Sequence, residues 1–387
     1  MDEQRDELTE YLKAADGEGK GSRRILMLAC SESGYALMQR LRGRWEISED
    51  HVGAEIICKV KCSALQELSE EDSLEKIVGK YFDKVSAIIF FAAAGIAVRC
   101  IAPYVGHKSV DPAVIAVDGT GRYCIPLLSG HAGGANELAR RLADCLGAQA
   151  VITTATDCEN RFAVDEFARK NGLVVTDWQL AKEISAAVLN GRQIRLISEY
   201  AISGRKPEEL TVLDRENGTE EEVCPDNGEK QTAPDIIISC RRQPVLKRKA
   251  LRLVPRCIVV GIGCRRDTAY DKINQAVTDC LEKYCLHDRA VCAVTSIDLK
   301  QNETGILRFC ELRNVPFVTY SADELLRISG DYSGSAFVEQ VTGVDCVCER
   351  SAVLYARGNA DSLICRKTVY GGVTVALALR SVFISFD

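Results

Sequence analysis

The 387-residue sequence has no apolar run long enough to span a bilayer, which takes about 20 consecutive apolar residues. Its first 23 residues are charged and acidic, without the basic-then-apolar order of a secretory signal, and read as a frayed tail or a loose helix. The cytoplasm is therefore the expected compartment. Cysteine is abundant, at 18 residues, yet no two cysteines have CxxC spacing. The closest pair, Cys346 and Cys348, would need two further ligands to hold zinc. Neither a structural metal site nor a disulfide framework is expected, and reduced thiols are. Cys30, Cys58, Cys100, Cys124 and Cys292 fall inside apolar strand-like runs, where a thiol behaves as a small hydrophobe. A net charge of −6 argues against non-specific nucleic-acid binding, which needs a basic face.

Several signatures of nucleotide binding or catalysis are incomplete. In Gly106-His107-Lys108-Ser109, His107 stands where a phosphate loop needs glycine before its lysine, which argues against a Walker NTPase. Gly261-Ile262-Gly263 opens a dinucleotide fingerprint, but Arg266 occupies the third glycine position. Ser129-Gly130-His131 follows a strand-like run, as a hydrolase nucleophile would. The elbow needs glycine two residues before that serine, and Leu127 is there.

What is present is the composition of a soluble globular protein, 47% hydrophobic and 27% charged. The length predicts two or three domains. Residues 24–30, 55–60 and 85–91 read as strands, alternating with helical patterns at 35–41 and 73–82. Such alternation builds a largely parallel sheet covered by helices, with ligand sites at the carboxyl ends of strands, where Gly95 falls. Residues 112–118 and 123–128 predict a hairpin across 119–122. A loop over 128–137, a helix over 135–146 and a strand over 150–154 follow. Helices are predicted at 163–171 and 179–190, and a strand at 193–198. Residues 214–229 then hold seven acidic residues and one basic, and 241–256 seven basic and no acidic. They read either as an exposed loop and a solvated linker or as a basic edge near an anionic ligand.

From residue 257 a second α/β unit begins. Strands are predicted at 257–261, 291–297, 316–320, 363–367 and 373–379. Helices are predicted at 267–284 (capped by Asp267), 303–313, 322–328, 335–342 and 349–357. The expected fold is thus multi-domain α/β. A charged tail (1–23) precedes an N-terminal α/β domain with a mostly parallel sheet (24–160), a variable middle region and linker (161–255) and a C-terminal α/β domain (256–387).

The candidate functional residues cluster between Phe91 and Asp157. Gly95 and Arg99 make an anion site, or a plain strand-to-helix turn with a solvated arginine. His131 is a general base or donor, or a hydrogen-bonded loop histidine. Gly133 and Gly134, ahead of Asn136 and Glu137, admit a ligand to the backbone or serve a tight turn. Asp157 caps the following segment or faces the same cleft. In the second half the best-placed polar cluster is 296–300 with Glu303, although Asp298 also suits a helix cap. Glu349 and Lys367 read as isolated, solvated or paired charges.

Together these blocks resemble the CbiG family of anaerobic cobalamin biosynthesis. The residues that carry the resemblance are GIAVR at 95–99, AP at 102–103, K-x-x-DPAV at 108–114, LLSGHAGGANELA at 127–139 and VITTATD at 151–157 with AVD at 163–165. In the second unit they are GIGCRR at 261–266, SIDLKQNE at 296–303, SGSAFVEQVTGV at 333–344 and TVALAL at 374–379. Agreement covers about 85–170 and 257–380; residues 171–250 fit only as the family's variable middle, and the tail lies outside it. The resemblance implies a cobalt-precorrin-5A hydrolase, which opens the δ-lactone of a cobalt-containing tetrapyrrole, releases acetaldehyde and yields cobalt-precorrin-5B. It implies no cofactor, the cobalt arriving inside the substrate. The expected partners are that tetrapyrrole and other enzymes of the pathway, with no nucleic acid and no membrane; the oligomeric state is not read. On this basis His131 is assigned as base, with Lys108 or Glu137 in proton transfer or oxyanion contact. Gly95, Arg99, Asp111, Ser129, Gly133, Gly134 and Asn136 are assigned to substrate binding, with Lys300 and Glu303 lining the other side. Lys108 and Asp111 form a structural salt bridge in the competing reading. A non-catalytic tetrapyrrole carrier is the alternative function, and a nucleotide-dependent oxidoreductase a third.

Overall fold

Short apolar runs alternating with amphipathic helices make the first sheet. The computed structural model describes residues 24–46, 55–107, 110–155, 161–214, 233–242 and 249–387. The first unit contains β1 (Arg24–Ala29), α1 (Glu32–Glu46), β2 (Glu55–Val60), α2 (Leu74–Tyr81), β3 (Ala87–Phe91) and α3 (Ala94–Ile101). It continues through β4 (Ala113–Val117), β5 (Tyr123–Leu128), α4 (Ala135–Leu146), β6 (Gln149–Ala150) and α5 (Val164–Lys170). This compact unit closes at Lys170. Its strand order is β2-β1-β3-β4-β5-β6. The neighbours from β2 to β4 are parallel, and β5 returns antiparallel to β4.

β3 and β4 are buried along their whole length, as central strands covered on both faces must be. Successive side chains serve opposite layers. Ile25, Met27, Ile89, Phe91 and Ile115 pack with Met38 and Leu41 of α1 and Leu138 and Leu142 of α4. Leu26, Leu28, Ile88, Phe90 and Val114 pack with Ile77 and Val78 of α2 and Ala97 and Ile101 of α3. Cys124 belongs to this core, and its burial, with a smaller effect from the charge of Asp118, pushes its thiol up to about 12. The strand expected over 150–154 shrinks to β6. Beyond it, the Val151 amide still bonds the Cys124 carbonyl, but no regular ladder follows.

The second unit runs from Asn171 to Asp387. Its first sheet uses β7 (Leu173–Val175), β8 (Ile194–Ser198), β10 (Leu210–Asp214), β11 (Asp235–Ile238) and β12 (Ala250–Pro255), with α6 (Trp178–Leu189) and the short β9 (Ile202–Ser203) between them. The order is β10-β8-β11-β12-β7, antiparallel at β7 alone among the described strands. The expectation of a solvated linker fails over β12. Leu251, Leu253, Val254 and Pro255 are buried; Arg252 between the leucines, with Lys249 and Arg256 on either side of the strand, disguises the strand pattern. Residues 215–229 of the acidic stretch and 243–248 of the basic one lie outside the described residues.

The second sheet of this unit contains β13 (Ile258–Gly263), α7 (Tyr270–Lys283), β14 (Val291–Ile297), α8 (Thr304–Arg313) and β15 (Phe317–Tyr320). α9 (Ala322–Leu326), α10 (Ala336–Thr342), α11 (Val347–Ala356), β16 (Leu363–Tyr370) and β17 (Val373–Leu379) follow, and β18 (Ile384–Ser385) pairs with β9. The order is β15-β14-β13-β17-β16, with β13, β14 and β15 parallel and β16–β17 an antiparallel hairpin beside β13. α7 and α8 cover one face and α11 the other. The protein is thus mixed α/β with mostly parallel sheets. No helix among the described residues is long and apolar enough to cross a membrane.

Two expected helix caps are corrected. α7 begins after Ala269, while Asp267 takes a left-handed conformation at φ 58°. Asp298 opens a 3₁₀ turn instead of capping α8, which starts after Glu303.

α11 lies directly on β13 because Gly261 has no side chain. A Cβ there would come within 1.8 Å of the Cys348 carbonyl oxygen, a backbone atom that cannot swing aside. Gly261→Ala is therefore expected to destabilise the protein by about 1–3 kcal/mol, the usual cost of overpacking. Denaturant unfolding followed by circular dichroism measures this; an unchanged midpoint would contradict the packing described.

Candidate active site

The loop between β5 and α4 is held by its own backbone. The Ser129 carbonyl accepts the amides of Gly133 and Ala135, both at 3.1 Å. The Gly134 amide goes to the His131 carbonyl and the Asn136 amide to that of Gly130, each at 3.0 Å. These amides are therefore engaged within the loop. Gly134 is left-handed at φ 79°, and a Cβ on Gly133 would sit 2.5 Å from that of Ser129, so both glycines are required by the turn itself. Ser129 is also left-handed, at φ 56°, which costs a non-glycine residue about 1–2 kcal/mol. Its two accepted amides, and a 3.1 Å bond from its hydroxyl to the Asp111 carbonyl, offset that cost. Asp111 is buried, and both its carboxylate oxygens receive the Gly106 amide at 3.2 Å.

The hairpin decides where this loop lies. Val114 pairs with Leu128 and Val117 with Cys124, so the end of β5 sits beside the start of β4. Ser129, His131, Gly133, Gly134 and Asn136 therefore gather at the amino end of β4, with Asp111 just before that strand. Arg99 lies in the last turn of α3, toward the same end, exposed and without an ion-pair partner among the described residues. Gly95 does not join them. It follows β3 at the opposite end of the sheet, exposed, and a Cβ there would meet nothing within 4 Å. Lys108 and Asp157 lie outside the described residues.

His131 Nδ1 is 3.5 Å from Asp165 Oδ1, and both side chains are about nine-tenths buried, at 10% and 9% exposure. Asp165 stands in the first turn of α5, where the helix dipole favours a carboxylate. One turn on, Arg169 bonds Glu137, which also accepts Arg141 Nη2 at 2.7 Å. Burial alone would raise the Glu137 pKa, but Arg169 first and Arg141 second outweigh it and hold the carboxyl below its ordinary value. Glu137 is thus a fixed anion between two guanidinium groups. Asn136 is buried and donates to Thr154 Oγ1 at 2.6 Å, tying α4 to the segment after β6.

In the second unit, Lys300 Nζ lies 2.9 Å from Glu303 Oε2, and Glu303 Oε1 accepts the Thr268 amide at 3.1 Å. This carboxylate ties the loops after β13 and β14, at the carboxyl ends of adjacent parallel strands, where open α/β sheets carry ligands. It also explains the late start of α7, since Thr268 is drawn toward Glu303. Arg265 and Arg266 are exposed on the first loop and Leu299, 68% exposed, on the second. Glu349 is not solvated: it is fully buried and accepts the amides of Ser333 at 2.8 Å and Lys367 at 2.5 Å. Lys367 Nζ donates to the Ser333 carbonyl at 3.1 Å.

Comparison with known proteins accounts for both units. Family models described as Cobalamin synthesis G N-terminal, Cobalamin biosynthesis central region and Cobalamin synthesis G C-terminus match residues 76–157, 162–255 and 258–378. A Salmonella typhimurium protein named cobalt-precorrin-5A hydrolase is 35% identical over 302 residues, covering 77% of this chain and 83% of that protein. The chain belongs to the CbiG family. A Priestia megaterium protein of the same name is 31% identical over 331 residues, covering 79% of this chain and 82% of its own.

Within this CbiG chain, sequence reasoning assigns no role to Asp165, which appears only within the matching block at 163–165, and none to Arg141 and Arg169. Arg141 follows Glu137, and Arg169 follows Asp165, by one helical turn, a spacing that marks neighbours on a helix face. That His131 meets Asp165, and Glu137 meets Arg169, depends on tertiary packing that no spacing records.

Because the folded-state pKa of Glu137 is depressed, its stabilising contribution is complete above the ordinary carboxylate range and is lost as pH falls below that range through the depressed value. Glu137→Gln is expected to cost on the order of 1–3 kcal/mol at pH 7. The difference from wild type should shrink as pH is lowered below about 4. Urea midpoints of both proteins across that range measure this; a pH-independent difference would contradict it.

Proposed function

We propose that this chain is a cytoplasmic cobalt-precorrin-5A hydrolase, with its reacting centre at the amino end of β4 and His131 as base. The observation that carries this reading is the 35% identity to a protein of that name over most of both chains. Opening a lactone requires a base for water and a donor for the developing oxyanion. The unprotonated nitrogen of His131 takes a proton from water, whose oxygen bonds to the acyl carbon. The ring C–O bond breaks, and the leaving oxygen takes up a proton to become a hydroxyl. Loss of that hydroxyl proton then lets the adjacent C–C bond break, with the electron pair passing into the macrocycle and acetaldehyde departing. One water is consumed and the cobalt stays in the substrate.

Lys108, three residues before Asp111 in sequence, is the proposed cation for the oxyanion, and Arg99 a proposed partner for substrate carboxylates. Glu137, held ionised by two arginines, serves better as a fixed charge than as a proton donor. In the second unit Lys300, Arg265 and Arg266 beside the exposed Leu299 suit an apolar ring that carries carboxylates.

The test is anaerobic turnover by the purified protein alone, with acetaldehyde trapped and counted against tetrapyrrole converted. One acetaldehyde per substrate is expected, falling about 10²- to 10⁴-fold in His131→Ala. Tight binding without turnover in the wild type would favour a carrier, and wild-type release by His131→Ala would remove the histidine from the reaction.

A further inference from the structure

The geometry points to Asp165 as the positioning residue of the site, fixing the proton and the orientation of His131 from α5; this rests on the reading of His131 as base. The backbone at His131 is held by the carbonyls of the β5–α4 loop, and α5 brings a carboxylate against the imidazole. Asp165 is 7% exposed, its Oδ1 lies 3.5 Å from His131 Nδ1, and the same oxygen accepts the Glu166 amide at 3.2 Å, which fixes its rotamer. Facing an ionised carboxylate, which only accepts, a neutral imidazole carries its proton on Nδ1. The lone pair is then on Nε2, the nitrogen turned away from Asp165 and able to take a proton from water.

α5 is held in place by a second contact on the same face. Arg169, four residues after Asp165, reaches Glu137, which α4 presents six residues after His131. One short helix thus meets the loop through Asp165 and the following helix through Arg169. The family's N-terminal model ends at residue 157 and its central model begins at 162, so His131 and Asp165 come from different regions of the family. The structure joins them in one compact unit that closes at Lys170. The reacting centre is complete only when this first helix of the central region docks.

Asp165→Asn tests the assignment, because its amide keeps the shape but can donate to Nδ1 and so drive the proton to Nε2. Protein labelled with ¹⁵N-histidine reports the tautomer, His131 being identified among the four histidines by its absence from the His131→Ala spectrum. The Nδ1–H tautomer is expected in the wild type and its loss in Asp165→Asn, together with a fall in kcat of about 100-fold or more and an unchanged KM. If Asp165→Asn does not fold, Asp165→Glu provides the second arm: the retained charge should preserve the Nδ1–H tautomer. An unchanged tautomer in Asp165→Asn, its loss in Asp165→Glu, or wild-type kcat in Asp165→Asn would overturn the assignment. Wild-type turnover in His131→Ala would instead overturn the base reading, and the tautomer would still show whether Asp165 orients His131.

Discussion

Val114 opposite Leu128 and Val117 opposite Cys124 turn β5 back against β4, and the placement of the functional groups in the first unit depends on that reversal. A fifth parallel strand would have delivered Ser129–Asn136 to the end of the sheet where Gly95 lies, the usual ligand end of an open α/β sheet. The antiparallel return brings the loop to the start of β4 instead. There the chain from α3 re-enters through Asp111, and the Ser129 hydroxyl joins the two segments through the Asp111 carbonyl. The glycines of the loop let the chain turn sharply enough to begin α4 at once.

Electrostatics then restrict how the unit can close. His131, Asp165, Glu137, Arg141 and Arg169 are all largely withdrawn from water. A buried ion left unpaired is strongly destabilising, by roughly 3–5 kcal/mol when its partner is removed. Glu137 meets both guanidinium groups, and Arg169 reaches it from α5 in the position that puts Asp165 beside His131. The contact that holds α5 against α4 thus accompanies the one between Asp165 and His131. The second unit shows a related economy: Glu303, paired with Lys300, also receives the Thr268 amide and fixes two neighbouring loops at once.

Much of the fold was legible because the strongest patterns were local. The wholly apolar runs at β3 and β4, the turn at 119–122 and the 3.6-residue pattern of α4 predicted their elements to within a residue or two. β12 was missed because Arg252 stands between its buried leucines and Lys249 and Arg256 flank it, and the basic composition outweighed the short alternation. The start of α7 was misjudged because Thr268 answers to a carboxylate 35 residues later in the chain. At the site, the 129–137 block was visible as glycine-rich and polar, and His131 as its best candidate base. Its position relative to Gly95 was not read, although the hairpin predicted across 119–122 already implies the reversal that places it there. Asp165 was present only as part of a short matching block, its role hidden until α5 was placed.

The claim most exposed to test is that substrate engages the amino end of β4 and not the end marked by Gly95. Hydrogen–deuterium exchange, recorded anaerobically with and without bound cobalt-precorrin-5B, measures this peptide by peptide. Slowed exchange is predicted in peptides covering 102–107 and 129–137, with 92–96 unchanged. Protection of 92–96 with none at 129–137 would contradict the account.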